Sequence, residues 1–352
     1  MTQRVLIAGG GIAGLALAGA LARDGAAVEV IERDAVPRTA GTGLYLPGNA
    51  VRALRALGVE PQGHEIPRQR FCDHRGRLLF EVDVARLWAG VGPCLAMHRA
   101  DLHALLREAA GDVPVRRGLT VARIEGPAVE LSDGSGGDYD VVVGADGIHS
   151  GVRALAFGAA AAAPLPVGQT GRRFLAPRPP EVTTWSVMLG RDATFLSMPL
   201  DGERAYCYWD GASADGFAAP APALLAGAGE VHAAPIEEVA LDTWVRDRVV
   251  LIGDAAHATS PNMAQGAAMA LEDALVLAAA LRETASVPDA LAAFETARRP
   301  RTDWVRAQTH RRDRTRALPP VVRNSLLRPA GRRIFRANYR PLLAEPLSDS
   351  SS

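Results

Sequence analysis

The sequence predicts an α/β fold, a parallel sheet flanked by helices, interrupted by an inserted mixed β-sheet and closed by C-terminal helices. Three observations carry this. "RVLIAGG" (4–10) is a β-branched, apolar run suited to a buried parallel strand, and it breaks into glycines before the small-residue helix "LALAGALARDG". Two later apolar strands, in "DYDVVVGADGIHSGVR" (138–153) and "RVVLIGDAAHATSPNMAQG" (248–266), run into carboxylates, Asp146 and Asp254, ahead of helices. Between them the texture changes. "TTWSVMLG", "ATFLSMPL" and "RAYCYWD" (183–210) read as antiparallel strands joined by short polar turns, and "RQRFCDHRGRLLFEVD" (68–83) as an inserted hairpin.

In the first unit Gly9-x-Gly11-x-x-Gly14 links the strand to the helix, and the next strand, "AVEVIE", ends on Glu32, 23 residues after Gly9. Gly9 permits the tight turn, Gly11 lets backbone approach a pyrophosphate, and Gly14 lets helix pack on strand. The helix N-terminus offers unsatisfied N–H groups to phosphate, and Glu32 accepts from a ribose. The unit predicts dinucleotide binding without saying which dinucleotide. Asp146 and Asp254 each have two readings: a helix cap, or a ligand contact at the carboxyl end of a parallel strand.

Bulk properties narrow the chemistry. The 352 residues carry 48% hydrophobic and 22% charged side chains with a formal net charge of +0, so no global field favours nucleic acid or an anionic membrane. All 39 basic residues are Arg. Without Lys there is no Schiff-base chemistry and no lysine-bearing phosphate loop. Cys72, Cys94 and Cys207 are scattered and odd in number, which suits free thiols in a cytoplasmic protein. Glycines interrupt the apolar N-terminus, so it reads as a strand–turn–helix unit rather than a signal peptide, and no run is long enough for a membrane span. Neither metal-ligand spacing nor a G-x-S-x-G elbow is present.

The three motifs in this order resemble the group A FAD-dependent monooxygenases of the para-hydroxybenzoate hydroxylase fold, nearest the branch of salicylate and urate hydroxylases and zeaxanthin epoxidase. The resemblance extends through "ERDAVPRTAGTGLYLPGNAVRALRALGV" (32–59) and "MHRADLHALL" (97–106) and covers most of residues 4–300. It implies a Rossmann-like FAD-binding domain with an inserted mixed β-sheet substrate domain and C-terminal helices. The FAD-binding domain is expected over 1–66, 96–155 and 240–300, the substrate sheet over 67–95 and 165–239, a helical segment over 301–345 and a disordered tail over 346–352. The chain is expected to lack the extra C-terminal domain of phenol-hydroxylase-like relatives.

Carried over by position, Glu32 binds the adenosine ribose with Arg33 beside the adenine, Arg99 contacts the ribityl–phosphate region, Asp146 lies by the pyrophosphate and Asp254 binds the ribityl chain. Pro261 lies over the ring near its oxygen-reactive carbon. Ala13, Val121, Gly266 and Ala267 complete the implied cofactor contacts. One residue departs from the family's P-N-x-G-Q-G pattern: Ala264 stands where it has glycine.

The resemblance implies a single-component enzyme using FAD, NADH or NADPH and O2 to hydroxylate a small-to-medium organic substrate, an aromatic one by preference, through a flavin C4a-hydroperoxide. No protein nucleophile or metal is called for. Epoxidation of an alkene or polyene, and non-oxidative FAD-dependent cyclisation, are the alternatives. Flavin-dependent halogenation is disfavoured because its catalytic lysine cannot exist here. His98, His149 and His257 read as structural. In the sheet, period-two alternation pairs Tyr206 with Tyr208, Trp185 with Val187 and Phe195 with Ser197. Tyr45, Trp185, Phe195, Tyr206 and Tyr208 are the candidate substrate contacts. Arg172 and Arg173 meet an acidic substrate or solvent, with solvent preferred. The 14 Arg between Arg298 and Arg340, against Asp303 and Asp313, read as a solvated helix packed by Trp304. A monomer or homodimer is expected, with small-molecule partners and no nucleic acid.

Overall fold

The computed structural model describes residues 3–36, 42–158, 163–211 and 213–346. Residues 347–352 of the expected disordered tail lie outside the described residues.

A six-stranded sheet runs in the order Val245–Arg246, Val249–Leu251, Val141–Gly144, Arg4–Ala8, Ala27–Glu32, Val115–Arg117. Its pairs are parallel apart from the antiparallel edge strand Val245–Arg246. Val5, Leu6 and Ile7 are fully buried because helices cover both faces, which is why the strand reads as a continuous apolar run rather than an alternating one. Gly9, Glu32, Asp146 and Asp254 all emerge along one rim, at the carboxyl ends of four adjacent strands. This rim is where open α/β sheets bind ligands.

The inserted sheet has seven strands, ordered His232–Glu238, Leu165–Pro177, Arg204–Asp210, Thr194–Pro199, Trp185–Leu189, Arg68–Asp73, Leu78–Asp83. It is mixed, as expected: Trp185–Leu189 runs parallel to Arg68–Asp73 and the remaining pairs are antiparallel. One face roofs a cavity. The other buries a separate core of Phe174, Phe195, Phe217 and Leu224. A short helix, Ala221–Ala226, joins that core through Ala221 and Leu224. Gly43–Leu46, Leu95–His98 and His64–Glu65 form a small third sheet, and Gly43 packs against Tyr206.

Helix Gly266–Glu283 packs on Ile12–Arg23 through alanines and leucines. The next helix, Val287–Arg316, runs through Pro300 and across the boundary expected there, and Pro320–Tyr339 closes the fold. The arginines of these helices are not uniformly solvated, contrary to expectation: Arg298 and Arg323 are completely buried. Arg298 pairs with Glu272 and Asp273 at 2.8 Å each, and Arg323 donates to the carbonyls of Gly190 and Leu189. Buried guanidinium groups persist only with such partners. Among the described residues no helix is long and apolar enough to cross a membrane.

Candidate active site

A cavity of about 1170 Å³ runs from the glycine turn, along the rim, to the space between the seven-stranded sheet and the C-terminal helix. Gly9, at φ +113°, has a backbone only glycine adopts readily, and a Cβ there would meet Ala145 O at 2.3 Å. Gly11 faces open space, with nothing within 4 Å of a built Cβ. Gly14 lies behind the turn, off the cavity wall, where a Cβ would meet Gly9 O at 1.9 Å, so its role is close packing. Helix Ile12–Arg23 begins at this turn with no side-chain cap, and helix Gly266–Glu283 likewise. Two helix N-termini therefore keep N–H groups free beside the cavity.

Ala13, Glu32, Arg33, Arg99, Val121, Asp146, Asp254, Pro261, Gly266 and Ala267 all line this space. Glu32 accepts the amides of Gly10 at 2.8 Å and Asp34 at 2.9 Å, one on each oxygen, leaving lone pairs on both. The capping reading of Asp254 fails. Gly253 is the N-cap, the helix is a single turn, and the exposed Asp254 carboxylate takes no hydrogen bond from the described residues. Asp146 spends one oxygen on the Val152 amide at 3.1 Å and leaves Oδ1 buried without a partner among the described residues. Ser150 and Arg153 of the same motif are structural. Ser150 caps helix Gly151–Phe157, and Arg153, fully buried, donates to Ala255 O at 2.9 Å, tying the second motif to the third.

Of the candidate substrate contacts, Tyr45, Trp185, Tyr206 and Tyr208 line the cavity, and Tyr45 meets Trp185 edge-on at 4.6 Å. Phe195 does not. It points into the opposite core against Phe217, while its neighbours Thr194 and Leu196 face the cavity. Burial raises the pKa of Tyr45, Tyr206 and Tyr208, so all three stand as neutral hydroxyls at physiological pH. The buried indole N–H of Trp185 has no partner among the described residues. Arg173 reaches the cavity as a guanidinium over the Tyr208 ring at 5.5 Å, whereas Arg172 stacks on Trp209 and donates to Gly211 O.

A family model described as an FAD binding domain matches residues 2–163 and 218–309. The aurachin C monooxygenase/isomerase of Stigmatella aurantiaca is 32% identical over 342 residues, 84% of each chain. The chain is a group A FAD-dependent monooxygenase. The 2-heptyl-3-hydroxy-4(1H)-quinolone synthase of Pseudomonas aeruginosa strain UCBPP-PA14 is 33% identical to this monooxygenase over 337 residues, 87% of each. Klebsiella pneumoniae HpxO, solved with FAD and uric acid, superposes with a TM-score of 0.88 at 25% identity and 98% coverage of both chains.

The geometry of this monooxygenase fits the cofactor: a side-chain-free turn at the uncapped start of helix Ile12–Arg23 suits the pyrophosphate, and two underused carboxylates, Asp146 and Asp254, suit hydroxyl donors. Several supporting residues escaped the sequence reading. His103 Nε2 meets Gly10 O at 2.8 Å and steadies the glycine turn. The Pro261–Gln265 loop is held from three sides: Asn262 donates to Asp313, Tyr339 donates to Met263 O at 3.0 Å, and Asn49 donates to Gln265 at 3.0 Å. These partners lie between 51 and 216 residues away, beyond any local pattern.

Proposed function

We propose that this monooxygenase hydroxylates a flat aromatic substrate seated among Tyr45, Trp185, Tyr206 and Tyr208, with NADH or NADPH as transient reductant and O2 as co-substrate. The observation that carries the reading is the carboxylate of Asp254, exposed and unbonded on a wall continuous with that aromatic cage. FAD, when bound and reduced by NAD(P)H, supplies the electrons that activate O2 for transfer of one oxygen atom. The chain's own residues bind and orient. The Gly9–Gly11 turn and the helix starting at Ile12 receive the pyrophosphate; Glu32 takes the ribose, with Arg33 beside the adenine. Arg99, Asp146 and Asp254 hold the central chain, and Pro261 lies over the ring. The uncapped start of helix Gly266–Glu283 lines the same cavity and would favour negative charge on a ring held there.

Ring substrates suit the cage, and the relatives' names point the same way: a quinolone for one and uric acid for another. The neutral tyrosine hydroxyls and the Trp185 N–H orient a polar ring edge, while the surrounding aromatic walls keep water out. In this reading residues 1–66, 96–155 and 240–300 serve the cofactor, and 67–95 with 165–239 serve the substrate. The enzyme is a cytoplasmic monomer or homodimer, and its three buried free cysteines suit a reducing compartment. The test is ring-compound-stimulated NAD(P)H oxidation with O2 uptake and a product heavier by one oxygen. Failure of every ring compound to stimulate oxidation in the FAD-loaded protein defeats the proposal.

A further inference from the structure

The last long helix, Pro320–Tyr339, turns one face inward and the other to solvent. Arg323, Leu327, Gly331 and Phe335 recur every four residues on the buried face, where Gly331 packs on Phe80. At about 100° per residue, Val322, Leu326, Arg333 and Arg336 all point within ~40° of the direction opposite Gly331. All four are exposed, and they span ~21 Å of helix at 1.5 Å per residue.

Two properties set this outer face apart from the rest of the surface. The first is apolar exposure. Of the nine large apolar side chains exposed among the described residues, four lie on this helix: Val321, at 79% exposure, Val322, Leu326 and Ile334. Single exposed leucines are ordinary, but Val321, Val322 and Leu326 crowd within about one and a half turns.

The second is uncompensated charge. Elsewhere the surface arginines sit beside carboxylates, as Arg55 does by Glu60, Arg123 by Glu125 and Glu130, and Arg204 by Asp201. Arg328, Arg332, Arg333 and Arg336 are exposed and meet no carboxylate among the described residues. From Arg314 to Ala344 the sequence holds eight Arg and neither Asp nor Glu. The zero net charge of the chain hides this segregation. A partner senses only charges within a Debye length, about 10 Å at 0.1 M salt.

We infer that the outer face of Pro320–Tyr339 docks on an anionic lipid bilayer. Val322 and Leu326 enter the headgroup layer, and Arg332, Arg333 and Arg336 meet the lipid phosphates. The helix lies on the membrane and does not cross it. A second copy of the chain fits less well, because a two-fold contact through this face sets the arginine cluster against itself. Nucleic acid would satisfy the arginines and leave Val322 and Leu326 without a partner.

The test mixes the full-length, FAD-loaded protein with sucrose-loaded vesicles and measures the sedimented fraction. One set is an equal mixture of phosphatidylglycerol and phosphatidylcholine; the other is phosphatidylcholine alone. The expected result is partition onto the anionic vesicles, little onto the neutral ones, and a decline as salt rises. Arg333→Gln with Arg336→Gln should weaken partition roughly 30-fold, the equivalent of ~1 kcal/mol for each charge. Val322→Ser with Leu326→Ser should weaken it roughly tenfold or more. None of these four residues lines the cavity, so both double variants should keep their flavin content and melting temperature. Equal sedimentation with both vesicle types, or with neither, overturns the inference. So does anionic binding that the serine pair leaves untouched, which marks a general polyanion surface of the kind nucleic acid uses. A dimer in sedimentation velocity that the same substitutions dissolve assigns the face to a second copy and overturns the inference as well.

Discussion

Asp273 Oδ2 accepts the backbone amide of Gly253 at 2.9 Å, so a buried carboxylate sets the turn from which Asp254 enters the cavity. Gly253 sits at φ +59°, and the same Asp273 oxygen meets His257 Nε2 at 2.6 Å while its other oxygen meets Arg298 Nε at 2.8 Å. Glu272, next in sequence, binds Arg298, Arg301 and Asn49, and Asn49 also holds Gln265. One buried network thus fixes both loops that flank the proposed flavin ring. Asp273→Ala would leave the Arg298 guanidinium poorly compensated in a fully buried site. The expected cost is about 3–5 kcal/mol of stability, read from urea unfolding. Unfolding at wild-type denaturant would show that Asp273 carries no such burden.

Asp254→Ala should behave differently. The side chain is exposed and bonds to none of the described residues, so its loss removes nothing that holds the protein together. FAD affinity should fall by roughly tenfold or more, matching about 1.5–3 kcal/mol for hydrogen bonds to a charged partner. The melting temperature of the flavin-free protein should stay put. Full flavin retention after extensive dialysis would take Asp254 off the cofactor.

These two aspartates show what a sequence reveals and what it hides. The Gly9–Glu32 unit was legible because strand, turn, helix and strand constrain one another within thirty residues. The position of Asp254 was legible for the same local reason. Asp273 was not, because its partners Gly253 and Arg298 are assembled by tertiary packing. Alternation correctly put Tyr206 with Tyr208, yet parity alone could not say which face of the sheet meets the cavity, and Phe195 was placed on the wrong one. Arginine runs read as solvated because their charge usually demands it. Arg298 escapes that demand through two carboxylates, and Arg323 through backbone carbonyls.

Acid should unfold the protein through Asp273 and Asp201 in particular. Burial by itself would raise the Asp273 pKa, but the neighbouring His257 ring, the Arg298 guanidinium and the Gly253 amide outweigh it and hold the value at about 2. Asp201 is also held below the ordinary carboxylate range: the Glu203 and Arg204 amides, His98 and the Arg204 side chain outweigh its desolvation. A depressed carboxylate adds stability that is complete above its unfolded value near 4 and is lost as pH falls through the folded one. Unfolding midpoints should therefore drop between pH 4 and 2 and change little between 5 and 7 on this account. Asp201→Asn should flatten the acid limb; an unchanged slope would exclude Asp201 as a contributor.

The last prediction concerns Ala264, which stands at φ +49° and ψ +38°, left-handed backbone that glycine adopts freely and alanine does not. The residue lines the cavity between Met263, whose carbonyl accepts from Tyr339, and Gln265, which is fixed by Asn49. Anchors on both sides impose the strained conformation. Relief of the left-handed penalty is worth about 1–2 kcal/mol, and the extra unfolded-state freedom of glycine takes back roughly 0.5–1 kcal/mol. Ala264→Gly should therefore stabilise the protein by up to about 1.5 kcal/mol, visible as a higher urea midpoint with an unchanged slope. Because the methyl also occupies the cavity wall beside the proposed ring site, the same variant should loosen the flavin's surroundings and shift its absorbance envelope. A lower midpoint would mean that the methyl's packing outweighs the backbone strain, and that this departure from the family's glycine is compensated within the loop.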